Sequence, residues 1–334
     1  MKRGVFITFD VECSMGGAFE DSRLRPVPPS RAVMGEYGDR KMGLPLITEI
    51  LRENGLAATF FMEVFSEEQG YPGEAQRACQ LLLDCGQDIQ LHIHPCYYYY
   101  SRHARKLPYP ATDDMSDLTP AQQRELLAEG CRRLVKWTGK APEAFRAGNM
   151  GLREEDLANL SAEGITIDSS YTFPYAGGQC HFSGANPYNG SRQYGGVLEL
   201  ALSGFLQPRI PGLAKAKPLD LMGISFRECR DSIRRICRAD ADAVLILHSF
   251  SLFKVRNVQY DGGRPNRVVI NRFRRLCRWL SDNRDEFPAY TFSGLARAIA
   301  DKQYKANAVA PCRISGPTPL IRKAVQAYNR WYWT

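Results

Sequence analysis

Apolar and polar positions alternate from the start of the chain. Val5, Ile7, Phe9 and Val11 fall on one face of an extended segment, and Thr8, Asp10 and Glu12 share the other, because successive strand side chains point to opposite sides. A second alternating run, Gln90-Leu91-His92-Ile93-His94, puts both imidazoles on one face, opposite Leu91 and Ile93, and ends at Pro95. Residues 58–64, 144–148, 165–168 and 290–293, and the apolar run Ala243-Val244-Leu245-Ile246-Leu247-His248, read as further strands. Helical spacing predicts helices over 44–54, 73–85, 119–137, 152–163 and 268–281, with a closing helix from about 294. Gly55, Gly86 and Gly164 stop three of them. Thr119-Pro120-Ala121-Gln122 gives a fourth its N-cap, a proline at the first helical position and a capping-box glutamine.

Strands alternating with helices through short, glycine-stopped connections argue for parallel strands with crossover helices. At 334 residues the chain accommodates one large α/β barrel or two smaller domains. The polar residues Asp10, Glu12, His92, His94, Asp168 and His248 all close apolar strands. In a parallel barrel that rim is where chemistry is built. Residues 14–40, proline-rich and charged, read as a long functional loop. Residues 173–190, rich in Gly, Asn, Tyr and Pro, read as a substrate-side insertion. The run Tyr97-Tyr98-Tyr99-Tyr100 either floors a sugar site or packs a loop.

Composition narrows the classes further. The chain is 44% hydrophobic and 24% charged, as in ordinary globular proteins. It has no run of about 18 apolar residues, so no membrane-spanning helix is expected. The first strand begins almost at once, without the apolar region of a secretory leader, which favours a cytoplasmic protein. Ten cysteines without a CxxC pair fit reduced thiols better than a disulfide framework. The net charge is +8, with arginine clusters at 227, 230, 234 and 235 and at 272, 274, 275 and 278. The end of the chain, 319–333, mixes cations with aromatics. Such a tail suits peripheral membrane contact or an anionic substrate, or packs its aromatics on the body. Nucleic acid is not expected, since no binding motif accompanies the charge.

Two carboxylates at strand spacing and two histidines at strand spacing are together enough for a metal site with an unligated base left over. Each pair alone has a plainer reading, solvated acids at one strand end and polar residues closing another.

In order along the chain, Thr8-Phe9-Asp10-Val11-Glu12, Leu91-His92-Ile93-His94, Phe145-Arg146-Ala147-Gly148, Ile167-Asp168-Ser169-Ser170 and Leu245-Ile246-Leu247-His248 resemble the polysaccharide deacetylase family of metal-dependent carbohydrate de-N-acetylases. Leu198-Glu199-Leu200 resembles a further strand of that family, and the match spans about residues 4–300. The resemblance implies an α/β fold, a single-domain distorted (β/α) barrel of about seven parallel strands. We take it to cover 1–305, with 306–334 as a basic aromatic tail. It implies Asp10 as general base, Glu12 and His92 as metal ligands and Arg146 as the group that holds the base. It also implies Asp168 as the orienter of His248, and His248 as general acid. One divalent ion, zinc first, is the implied cofactor, and an N-acetylated amino sugar the implied substrate.

Two spacings depart from the family. Its acidic pair is adjacent, whereas Val11 separates Asp10 from Glu12. Its histidines are four apart, whereas His92 and His94 are two apart and Cys96 holds the four-apart position. Strand geometry sets His94 beside His92 and makes it the expected second ligand, with Cys96 the lesser candidate. A bound ion would acidify a water and polarise the amide carbonyl, Asp10 would take the proton, and His248 would protonate the leaving amine. The expected reaction is release of acetate from a polysaccharide, glycolipid or sugar-nucleotide intermediate. The rivals are a cyclic amidohydrolase, which also uses a His-x-His pair, and a catalytically silent carbohydrate-binding relative.

Overall fold

A computed structural model describes residues 1–182, 186–209, 214–314 and 318–331. The opening alternation becomes the strand Val5–Val11, buried along its whole length. Val5, Ile7, Phe9 and Val11 enter the core between sheet and helices. Phe6, on the other face, joins Phe61, Ala144, Ile167, Leu198 and Val244 in a smaller cluster inside the sheet's curl. One strand thus serves a helix-covered layer and an interior, which is why its polar inward residues meet other strands rather than water.

The sheet runs in the order Ala243–His248, Val5–Val11, Thr59–Glu63, Asp88–Ile93, Ala144–Ala147, Ile167–Asp168, Val197–Leu200, Asn189–Tyr194, Ala308–Val309. The first seven are parallel. Asn189–Tyr194 and Ala308–Val309 extend them by antiparallel pairing, and the short Ala289–Tyr290 lies parallel to Val5–Val11. The continuous path therefore has nine strands instead of about seven. The two extra strands are either polar, as in Asn189-Gly190-Ser191-Arg192-Gln193-Tyr194, or two residues long, so neither shows an apolar alternation.

The sheet curls until its first strand meets segments beyond its far side. Ser203 N donates to Val244 O at 3.0 Å and Ile246 N to Leu219 O at 3.1 Å. Ser203 Oγ accepts from Val244 N at 3.0 Å, and Asp220 bridges to Ile246 in parallel register. The result is a distorted barrel, closed on one side by irregular chain. Phe292 and Leu295, from the helix Phe292–Ala300, plug the interior at the Phe6 end, where Phe292 meets Phe6 and Phe61 edge-on. The strands' C-terminal ends remain open for a site.

Local signals act where expected. The Thr119 cap forms its box with Gln122 at the start of Pro120–Thr138, and Gly139 ends that helix in the left-handed conformation. Residues 152–163 are shorter than expected, a turn at Glu154–Asp156 and the helix Leu157–Ala162. The tyrosine run lies in the helix Pro95–Ala104, where Tyr97, Tyr99 and Tyr100 are buried; it packs. Residues 14–40 also pack, through Val27, Ala32, Val33 and Met34. All ten cysteines are free. No helix among the described residues is long and apolar enough to cross a membrane.

The C-terminal part is tied to the barrel. Ala308–Val309 is the sheet's last strand, and Ile314 N donates to Leu206 O at 3.0 Å. The helix Thr318–Trp331 is anchored by buried Arg322, which pairs with Glu228 and Gln207. The tail residues 315–317 and 332–334 lie outside the described residues.

Candidate active site

Strand ends from across the sheet converge on a cavity of about 210 Å3 at the open end of the barrel, where Asp10, Glu12, His92, His94, Asp220 and His248 line it. Asp10 is the last inward residue of its strand. Its Oδ1 accepts from Arg146 Nη1 at 2.5 Å. Arg146 is fully buried, and three further contacts fix it: Nε donates to Ser169 O at 3.1 Å, Nη2 to Ser169 Oγ at 3.2 Å, and the guanidinium sits 4.0 Å over Phe61. Asp10 Oδ2 makes no hydrogen bond among the described residues, so one oxygen is held and the other is free to act.

Beside it, Glu12 Oε2 lies 3.1 Å from His92 Nε2 and 2.6 Å from His94 Nε2. These three residues form a group able to hold a metal ion. His92 Nδ1 donates to the Arg146 carbonyl oxygen at 2.7 Å, and His94 Nδ1 to Asp113 Oδ2 at 2.9 Å. Each neutral imidazole has one N–H, and both are used on the far side of the ring. The two Nε2 lone pairs therefore face an anionic oxygen, an arrangement that requires a cation among them, a proton or a metal. Ligating histidines ordinarily present this pattern of outer partners. The donor set fits a divalent ion.

The electrostatics agree. Burial works against the Glu12 carboxylate, but the His94 charge and the close contacts with both rings hold Glu12 well below the usual carboxylate range. Burial likewise works against a charged His94, and Asp113 and Glu12 outweigh it, raising His94 well above its ordinary value. In the absence of an ion, a proton takes the ion's place.

The backbone after Arg146 is shaped around His94. A Cβ on Gly148 would lie 2.5 Å from His94 Nδ1, which leaves room for glycine only. Asn149 and Met150 follow with φ of 53° and 60°, a strained pair of the kind that collects at functional sites. Both line the cavity, and Asn149 Nδ2 donates to Asp113 Oδ2 at 2.8 Å. Tyr97 stacks on the His94 ring with centroids 4.9 Å apart.

Cys96 lies on the other side of His94. It groups with His94 and Asp113 instead of with Glu12 and His92, and it does not line the cavity. Burial and then Asp113 push its thiol well above the ordinary range, so it stays protonated.

The Asp168 expectation requires correction. Asp168 is fully buried, accepts from Ser170 N at 3.0 Å and Ser170 Oγ at 2.9 Å, and sits opposite Glu199 in register. It does not line the cavity, and no hydrogen bond or ion pair joins it to His248 among the described residues. Burial and then the closeness of Asp168 raise Glu199 well above the carboxylate range. Burial also raises Asp168 itself, against the hydrogen bonds from Glu199 and Ser170. The physical reason for its placement is register: Asp168 pairs with the strand that carries Glu199, across the barrel from Ala243–His248.

The carboxylates that border His248 are Glu12, whose Oε1 is 3.7 Å from His248 Nε2, and Asp220. Asp220 is attached to Ile246, two residues before His248 on the same strand face. Its Oδ1 accepts from Met222 N at 2.8 Å. Burial raises the Asp220 carboxyl, against the pull of the Met222 N–H and of His248. His248 stacks on Phe250 at 4.9 Å and its backbone N–H donates to Ser251 Oγ at 2.9 Å.

The 173–190 insertion supplies Tyr175 and Gln179 to the cavity wall. Asp113 and Asp220 were not legible as site residues. Both lie in irregular chain, and the only signal for Asp113 is the acidic pair it makes with Asp114.

No family model matches the chain, and no curated protein matches it. Among solved structures, a Mycobacterium smegmatis protein assigned to the polysaccharide deacetylases superposes with a TM-score of 0.52 at 14% identity, over 94% of this chain and 93% of that one. A family 4 carbohydrate esterase from Streptomyces lividans covers 93% of this chain and 100% of its own at 14% identity, with a TM-score of 0.45. A CE4 family pseudoenzyme from Bacillus anthracis covers 88% of this chain and 66% of its own at 13% identity, with a TM-score of 0.43. The fold is of the polysaccharide deacetylase type.

Proposed function

We propose that this chain is a metal-dependent hydrolase that removes the acetyl group from an N-acetylated amino sugar. The observation that carries the reading is the separation of roles at one cavity: Glu12, His92 and His94 converge, Asp10 is held apart from them by Arg146, and His248 faces them across the gap. A divalent ion held by Glu12, His92 and His94 would supply an acidified water and a polarised amide carbonyl. Two imidazoles and a carboxylate favour zinc.

The chain's own groups complete the reaction. Arg146 fixes Asp10 through Oδ1, so the free oxygen takes the proton from the attacking water. His248 protonates the sugar amine as it leaves, since an unprotonated amine is a poor leaving group. Asp220, bordering His248, favours the imidazolium that this requires and replaces Asp168 as its orienting carboxylate. A cavity of about 210 Å3 suits one sugar ring, which fits an oligosaccharide end, a glycolipid or a sugar nucleotide.

The test is metal analysis of the purified protein, followed by an acetate-release screen over N-acetylated sugar nucleotides, glycolipids and oligosaccharides. Stoichiometric zinc and acetate release are expected, with Asp10→Asn retaining metal and releasing no acetate. Full activity in Asp10→Asn removes Asp10 as base. Protein without stoichiometric metal supports the silent carbohydrate-binding reading instead.

A further inference from the structure

The two arginine-rich helices, Phe226–Arg238 and Arg267–Asp282, both begin at the rim of the barrel that carries the site, one preceding the strand Ala243–His248 and one following it. The helix Thr318–Trp331 lies against their first turns. Between the three is a cleft of about 360 Å3, lined among others by Phe226, Arg227, Arg272, Arg275, Ile321 and Val325.

Its charge is unbalanced. Arg272 is buried, and its Nη1 donates to the carbonyl oxygens of Leu221 at 2.9 Å and Met222 at 3.4 Å. No carboxylate lies within ion-pair distance of it among the described residues. Arg275 is exposed, lies 4.6 Å over the Phe226 ring, and also has no acidic partner among the described residues. Of the carboxylates nearby, Glu228 is engaged by Arg322, Asp231 by Arg230 and Arg227, and Asp220 accepts from Met222 N and borders His248. Burial lowers Arg272, against the attraction of Glu228 and Asp220, and Arg322 lowers it further. A buried guanidinium without a direct ion pair is costly, so the cleft is suited to an anion from outside the chain.

The flank of the cleft is apolar. Ile321 is 60% exposed, Met222 38% and Val325 36%. Met222 lies two residues beyond Asp220 in the cavity wall, and its carbonyl oxygen accepts from Gln326 of the terminal helix at 3.5 Å. Met222 thus links the segment that bears Asp220, in the cavity wall, to the terminal helix beside the cleft. Unpaired guanidinium groups beside exposed aliphatic side chains match a phosphate headgroup and the acyl boundary beneath it, whereas a soluble phosphate matches only the first.

We infer that this face docks on an anionic phospholipid surface and sets the mouth of the catalytic cavity against it. The inference is independent of the deacetylase reading, because docking needs no turnover. The test is co-sedimentation of the full chain with vesicles of phosphatidylcholine alone or doped with phosphatidylglycerol. Binding to the doped vesicles only is expected, weakening as salt exceeds about 0.15 M. Arg275→Glu and Ile321→Asp, both at exposed positions, should each lower the bound fraction, and together by about tenfold or more, with the thermal midpoint unchanged. Equal binding to both vesicles, or full binding by Arg275→Glu, overturns the inference. If inorganic phosphate raises the thermal midpoint while vesicles do not bind, the cleft belongs to a soluble phosphate and the lipid reading fails.

Discussion

Glu63 makes the interior beside the ligand set measurable. It ends the strand Thr59–Glu63, lies opposite His92 in register and is only 2% exposed. Its Oε1 accepts from Phe65 N at 2.8 Å, and its Oε2 has no hydrogen-bond partner among the described residues. Burial pushes the carboxyl from its usual 4.5 up to about 8, despite the Phe65 N–H and the His94 and Arg133 charges that favour ionisation. Such a displacement is worth at most about 5 kcal/mol. Between about pH 4.5 and pH 8 the unfolded chain has released this proton and the folded chain still holds it. The contribution to stability is therefore full below that window and is lost as pH rises through it. Glu63→Gln keeps the acceptor for Phe65 and cannot ionise. Urea unfolding of both proteins, stripped of metal and measured across that pH range, should show the variant gaining on wild type by a few kcal/mol. Restoring zinc should shrink the gain, because a cation at Glu12, His92 and His94 favours ionised Glu63. A difference curve that stays flat from about pH 4.5 to 8 refutes the reasoning.

Two further outcomes concern the groups around the cavity. Arg146→Met leaves Asp10 buried without its counter-charge, so chemical denaturation should show a loss of about 3–5 kcal/mol, partly recovered when Asp10→Asn is added; a single variant as stable as wild type contradicts the pairing. Asp113→Ala removes the acceptor that fixes the His94 tautomer, and zinc titration should show affinity falling by about 10- to 100-fold. Cys96→Ser should leave the affinity unchanged, and the reverse order would move the ligand from His94 to Cys96.

Strand periodicity carried most of the fold. Alternating residues at 5–12 and 90–94 fixed which faces meet, and the capping box at Thr119 marked a helix start that the structure keeps. The same rule failed where position is set by closure instead of alternation. Asp168 reads as a strand-end acid like Asp10, but the strand order sends it to Glu199. Asp220 follows Lys217-Pro218-Leu219, with no periodic run to announce it, and reaches His248 only because irregular chain completes the barrel. Asp113 sits in a loop whose course depends on where Gly148 and Asn149 turn. Hydropathy carries no information about such long-range placement.

The irregular seam has a consequence for how this protein can change. Glu12, His92 and His94 are borne by the ends of strands tied together by continuous ladders. The wall that holds Asp220 and Pro218 is attached to Ile246 by isolated bonds. Substitutions or insertions at 214–219 therefore fall on the wall beside Asp220 and leave the ligand cage mechanically undisturbed. A barrel built this way can acquire a new substrate by redrawing one wall while its reactive centre stays as it is.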